Sequence, residues 1–165
     1  MAQMYGLDYM ETKMKNLERL VNILAASIES QYLSLNDLHK LMENIIIKTT
    51  NKDIIFSDLY MAQSEKNALA IIENTITDRL WMFQEDYEDM LIGFMYLAYL
   101  EKKINLKKLF LMIHDEEPNI IDFERLLENN IRLDNIKETD FNQDVWNHIK
   151  KLSFLSKKEF LSIEV

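Results

Sequence analysis

Between Asp86 and Lys103 lies a stretch whose centre, from Met90 to Leu100, carries no charge on any side. Glu85, Asp86, Glu88 and Asp89 stand before it, and Lys102 and Lys103 follow it. That is the order a helix macrodipole favours, acids at the positive N-terminal end and cations at the negative C-terminal end. A helix that is apolar all round has to be buried on every side. The run falls short of the roughly 20 apolar residues that a membrane span needs. It therefore predicts a central buried helix at about 86–103, with other helices built around it. Gly93 in its middle costs up to about 1 kcal/mol of helix propensity relative to Ala. A neighbouring helix crossing close to the backbone would explain that cost.

The rest of the chain is consistent with a helical bundle. Only Gly6, Gly93 and Pro118 represent the two residue types that many β-turns need. Their scarcity weighs against a sandwich or barrel and for helices joined by Asn, Asp, Ser and Thr. Met10, Met14, Leu17, Val21, Leu24 and Ile28 repeat in a heptad-like seam, which predicts a first helix over about 8–32. The seam serves either packing within the chain or a homodimer through this helix. Ser34-x-x-Asp37 starts a second helix in the manner of a capping box, ending near Thr49–Asn51. The segment 53–61 is ambiguous between a short strand and a helix. Ser64 caps the next helix, with Leu69, Ile72, Ile76, Leu80 and Phe83 as its inner stripe.

Beyond the central run, Asn105 caps a helix with Leu106, Leu109, Phe110 and Ile113 facing inward. His114–Glu117 reads as a polar interruption, and Pro118 suits the first turn of a further helix. Thr139 or Asp140 caps a helix that buries Val145, Trp146, Ile149 and Leu152. Ser156-x-x-Glu159 reads as a capping box for a short last helix. Ile131–Asp134 alternates like a strand, as do Leu161, Ile163 and Val165, which allows a small two-stranded pairing. The expected fold is all-α, a single-domain bundle over residues 1–165 of about six to eight helices.

Charge and missing chemistry bound the function. The formal net charge is -9. Residues 84–144 hold 15 acids against seven bases, a net of -8, whereas residues 145–165 hold four lysines against two acids, a net of +2. Such a surface disfavours direct binding to nucleic acid, which is driven by Lys and Arg releasing counterions. There is no cysteine, hence no disulfide, thiolate nucleophile or Cys-based zinc site. Met1–Gly6 lacks the basic and apolar blocks of a signal peptide, so the cytoplasm is the expected compartment and no membrane association is expected.

His39, His114 and His148 are not spaced as metal ligands, and no Glu-x-x-His, His-Glu-x-x-His, Gly-rich phosphate loop or nucleophile elbow is present. No cofactor, metal or catalytic residue is expected, and no stretch carries the motif set of a known family. The expected function is a small acidic, non-catalytic protein-binding module. By analogy of charge and size it would act as an inhibitor, immunity or antitoxin-type protein masking a basic, nucleic-acid-acting partner. Glu85, Asp86, Glu88 and Asp89 before the central helix, and Asp115, Glu116 and Glu117 before Pro118, are the expected partner-binding residues. The alternative is a small-molecule-sensing or regulatory bundle, dimeric through the first helix, with an apolar pocket near Trp81 and Phe83.

Overall fold

The computed structural model describes residues 17–48, 53–75, 85–121 and 123–163. Among them are eight α-helices and no strand: α1 (17–29), α2 (Leu35–Lys48), α3 (Ile54–Tyr60), α4 (Glu65–Thr75), α5 (Glu85–Leu100), α6 (Leu106–Glu116), α7 (Phe123–Glu128) and α8 (Gln143–Ile163). The all-α bundle expected from the sequence is what forms. Met10, Met14, Ile76, Leu80, Trp81, Phe83 and Val165 lie outside the described residues.

Short polar side chains start these helices by taking up backbone N–H groups that have no partner in the first turn. Ser34 Oγ accepts from Asp37 N at 3.2 Å, Ser64 Oγ from Asn67 N at 2.9 Å and Asn105 Oδ1 from Lys108 N at 2.8 Å. Asp53 Oδ1 accepts from Ile55 N at 3.3 Å, and this cap resolves the ambiguous 53–61 segment as helix. The other ends have to manage without glycine. Gln31, Lys102 and Asn130 adopt left-handed φ values of 66°, 60° and 52° just beyond α1, α5 and α7. At Lys102 the chain closes a Schellman motif: Lys103 N donates to Ala98 O at 2.9 Å and Lys102 N to Tyr99 O at 3.0 Å.

The central helix is α5. Every residue from Leu91 to Ala98 that carries a side chain is buried, with Phe94 and Ala98 fully enclosed; Tyr99 is half-buried and Leu100 exposed. It packs extensively against α8. The two meet at Gly93, where a Cβ would come within 2.6 Å of the Leu152 carbonyl oxygen and would also collide with Ser156 Oγ. This is the close helix crossing that Gly93 predicted. Two aromatic groups flank α5. On one side Phe94 stacks with Tyr32 at 5.3 Å between centroids, and Phe160 meets both rings edge-on. On the other, Trp146 packs against Tyr96, Tyr99 and Phe141.

Val21, Leu24 and Ile28 of the α1 seam are buried by the chain itself, and Leu17 packs partly against the same core.

Several local expectations are corrected. His114, Asp115 and Glu116 are not an interruption but the last turn of α6. Pro118 opens a single 3-10 turn, Pro118–Ile120, and α7 starts later, at Phe123. The segment 131–134 enters another 3-10 turn, Leu133–Asn135. The β-type contact among the described residues is an isolated bridge between Ile121 and Phe141, not a pairing with the C-terminal residues, since Leu161 and Ile163 belong to α8. Nor does Thr139 or Asp140 start the last long helix. Asn142 does, its Oδ1 accepting from Asp144 N at 3.1 Å. Ser156 caps nothing, because its hydroxyl donates across to the Met90 carbonyl at 3.0 Å and α8 runs on to Ile163.

Candidate functional site

The five residues Glu101–Asn105 turn α5 back into α6, so the start of one helix lies beside the end of the other. This hairpin brings Glu88 of the first acidic cluster near Glu116 of the second. Asp86, Glu88 and Asp89 are exposed on the first turns of α5, Asp115 and Glu116 on the last turn of α6, and Glu117 is half-buried just beyond. The side chain of Glu85 lies outside the described residues.

One further acid joins from a part of the chain that sequence reasoning did not connect to them. Glu29, in the last turn of α1, accepts a hydrogen bond from the buried Tyr87 hydroxyl. Burial, then this bond and the nearby carboxylates of Glu29, Glu116 and Glu73, push the Tyr87 phenol well above its ordinary value. The Glu116 carboxyl is also held above the usual range, first by partial loss of water and then by repulsion from Glu88, Glu29 and Asp115. Glu88, Glu29 and Asp115 therefore sit close enough to be felt at Glu116.

Helix polarity sharpens this point. Glu88 sits near the N-terminus of α5, where the dipole welcomes an acid. Glu29, Asp115 and Glu116 sit at helix C-termini, where the dipole opposes one. The sequence-based boundary put Asp115–Glu117 ahead of a helix, and the structure reverses that relation for Asp115 and Glu116.

Asp86 and Asp89 point to a different neighbourhood. They line a cavity of about 520 Å³ between α1, α5 and α8, together with Glu18, Asn22 and Glu159. Asn22 Oδ1 is shielded from solvent there without a hydrogen-bond partner among the described residues. Arg19 borders the cavity and forms a two-pronged pair with Glu159, one prong being Nε to Oε2 at 2.9 Å. Glu18, Asn22 and Glu159 were invisible to sequence reasoning because they come together only when α1 and α8 pack.

Among the described residues no three His, Asp or Glu side chains are placed to hold a metal ion. His39 bonds through Nε2 to the Ala62 carbonyl oxygen at 2.8 Å, and His148 is exposed on α8. No described helix is long and apolar enough to cross a membrane. No family model matches the chain, and no curated protein or solved structure shows significant similarity to it.

Proposed function

We propose that this protein is a non-catalytic binding module whose acidic end docks a partner with a basic surface. It would act as an inhibitor, immunity or antitoxin-type protein that masks a nucleic-acid-acting partner. The observation that carries this reading is the position of Glu116, in the last turn of α6 next to Asp115 and near Glu88 and Glu29. Acids at a helix C-terminus and next to other acids cost stability rather than adding it. A cationic partner relieves both costs on binding, and a field of one sign speeds its approach. The adjoining cavity adds a receptor for a single Lys or Arg side chain, with Asp86 and Asp89 at its edge and Asn22 in its lining. Leu155, largely exposed at the rim, supplies apolar contact of the kind interface centres use.

The test uses two baits, the native chain and a variant with Glu88→Gln, Asp115→Asn and Glu116→Gln. Affinity capture from the native cell followed by mass spectrometry should retain a basic protein on the first bait and lose it from the second. Its association rate should fall steeply with added salt. A partner held equally by both baits, with salt-independent association, would remove the acidic end from the interface.

The same cavity supports a second reading, a small-molecule sensor, because about 520 Å³ falls within the range of small-ligand pockets. A ligand held there would bind with little dependence on salt and would respond to Asn22→Leu but not to Asp115→Asn.

A further inference from the structure

On the other side of the Arg19–Glu159 pair the surface changes sign. A groove of about 1230 Å³ runs between α1, α2 and the last turns of α8. Its floor is apolar, with Leu20, Ile23, Leu41, Ile45, Phe56 and Phe160 contributing. Its borders carry Arg19, Lys40, Lys48, Lys103 and Lys158 against two acids, Asp37 and Glu159. Glu159 is already occupied by Arg19. Lys103 Nζ donates to the Tyr32 carbonyl and lies 4.4 Å from the centre of the Tyr32 ring. Lys40, Lys48 and Lys158 are exposed and form no ion pair among the described residues. A net positive groove on a chain of net charge -9 is a local reversal that composition does not predict.

The arrangement of the cations decides what fits. Lys40, Asn44 and Lys48 follow one another at one-turn intervals along the same edge of α2. Lys40 and Lys48 are thus about 12 Å apart along the axis, and Lys158 stands on α8, across the groove from α2. One carboxylate or phosphate head cannot reach all three. The volume also exceeds the roughly 300–1,000 Å³ of small-ligand pockets. An apolar floor between two cationic edges is complementary to a helix with an apolar stripe flanked by acids on both sides. We propose that this groove binds an acidic amphipathic helix of a partner protein, at a surface separate from the acidic end.

The probe is a short synthetic peptide with leucines at i, i+3, i+4 and i+7 and glutamates on both flanks, labelled for fluorescence anisotropy against the full chain. It should bind and become helical, and added salt should weaken it. The same peptide with lysines in place of the glutamates should bind far more weakly. Lys40→Glu, Lys48→Glu and Lys158→Glu in one chain should reduce affinity by roughly tenfold or more. These lysines are exposed, so an unchanged melting curve will show that the fold survives. Methyl signals of Ile23, Ile45 and Ile163 should shift on titration, while Ile120, buried elsewhere, stays in place. The Asp115→Asn, Glu116→Gln chain should bind this peptide as the native chain does, so the outcome is independent of the acidic end. A peptide that fails to bind, or that binds the reversed chain equally, overturns the proposal. So does binding of anionic phosphatidylglycerol vesicles through these lysines without peptide binding, or salt-sensitive self-association that fills the groove with a second copy.

Discussion

Ser156 on α8 fills the space left by the missing side chain of Gly93 on α5. Its hydroxyl donates to the Met90 carbonyl at 3.0 Å, one turn before Gly93, and so ties α8 to the backbone of the central helix. Glycine in mid-helix and a serine buried on its neighbour are two halves of one contact. Each is a poor choice for its own helix and a good one for the pair.

Gly93→Ala tests this contact. On an open helix the change would gain up to about 1 kcal/mol. Here the new Cβ meets Ser156 Oγ and the Leu152 carbonyl oxygen, so the expected result is a net loss of about 1–3 kcal/mol. Adding Ser156→Gly should recover only part of it, because the Leu152 carbonyl belongs to the backbone and cannot be trimmed away. Urea melts of the single and double variants measure both values.

Phe94→Ala should cost about 3–5 kcal/mol, since Phe94 is fully buried between Tyr32 and Phe160. Leu97→Ala should cost about 2–5 kcal/mol, as Leu97 is buried on the same helix. A loss below about 1 kcal/mol at Leu97 would place that side chain at the surface.

The central helix was legible because an uncharged run flanked by acids and bases has few other solutions in water. Caps at Ser34, Ser64 and Asn105 were legible for the same local reason: short polar side chains serve the first free N–H groups. Helix ends were less so. Ser156 has the spacing of a capping box, yet its hydroxyl bonds across to α5, and nothing local distinguishes the two uses. The α6 boundary failed at His114–Glu117 because a polar run resembles a loop when it is only the wet last turn of a helix. The acidic residues of the candidate site were found individually, but their meeting with Glu29, and the cavity around Asn22, depend on tertiary packing that periodicity does not encode.

Lys102→Gly should stabilise the fold. Lys102 holds a left-handed φ of 60° in the turn that ends α5, a conformation that costs a residue with a side chain roughly 1–2 kcal/mol and glycine almost nothing. Part of that gain is offset by the greater freedom of glycine in the unfolded chain, so an increase of up to about 1 kcal/mol is expected. A decrease would mean that the Lys102 side chain makes contacts worth more than its backbone strain.

Helix α1 offers a test of assembly. Leu24 is fully enclosed by its own chain and Leu17 packs partly against that core. Leu17→Glu with Leu24→Glu buries an unpaired charge and should abolish folding. Sedimentation that finds a soluble, folded monomer instead would assign these leucines to an interface between two copies.

The acidic end makes the last prediction, and its sign differs from place to place. At the start of α5, Asp86 complements the macrodipole, so Asp86→Asn should lose about 0.3–1 kcal/mol at neutral pH. At the end of α6 the same chemical change should gain a similar amount: Glu116→Gln removes a charge opposed by the dipole and by Glu88, Glu29 and Asp115. The pH dependence follows from linkage. The Glu116 carboxyl is raised in the folded state, first by partial desolvation and then by those neighbours, so the folded chain holds this proton more tightly than the unfolded one. Its penalty is absent below the unfolded value and grows as pH rises through the folded value. The advantage of Glu116→Gln should therefore be largest at neutral pH and fade as the solution is acidified through the carboxylate range. Thermal melts of both variants at neutral pH measure the two signs, and melts of Glu116→Gln and the native chain across that range measure the trend. An advantage for Glu116→Gln that does not change with pH would mean that packing of the amide, not removal of the charge, produces it.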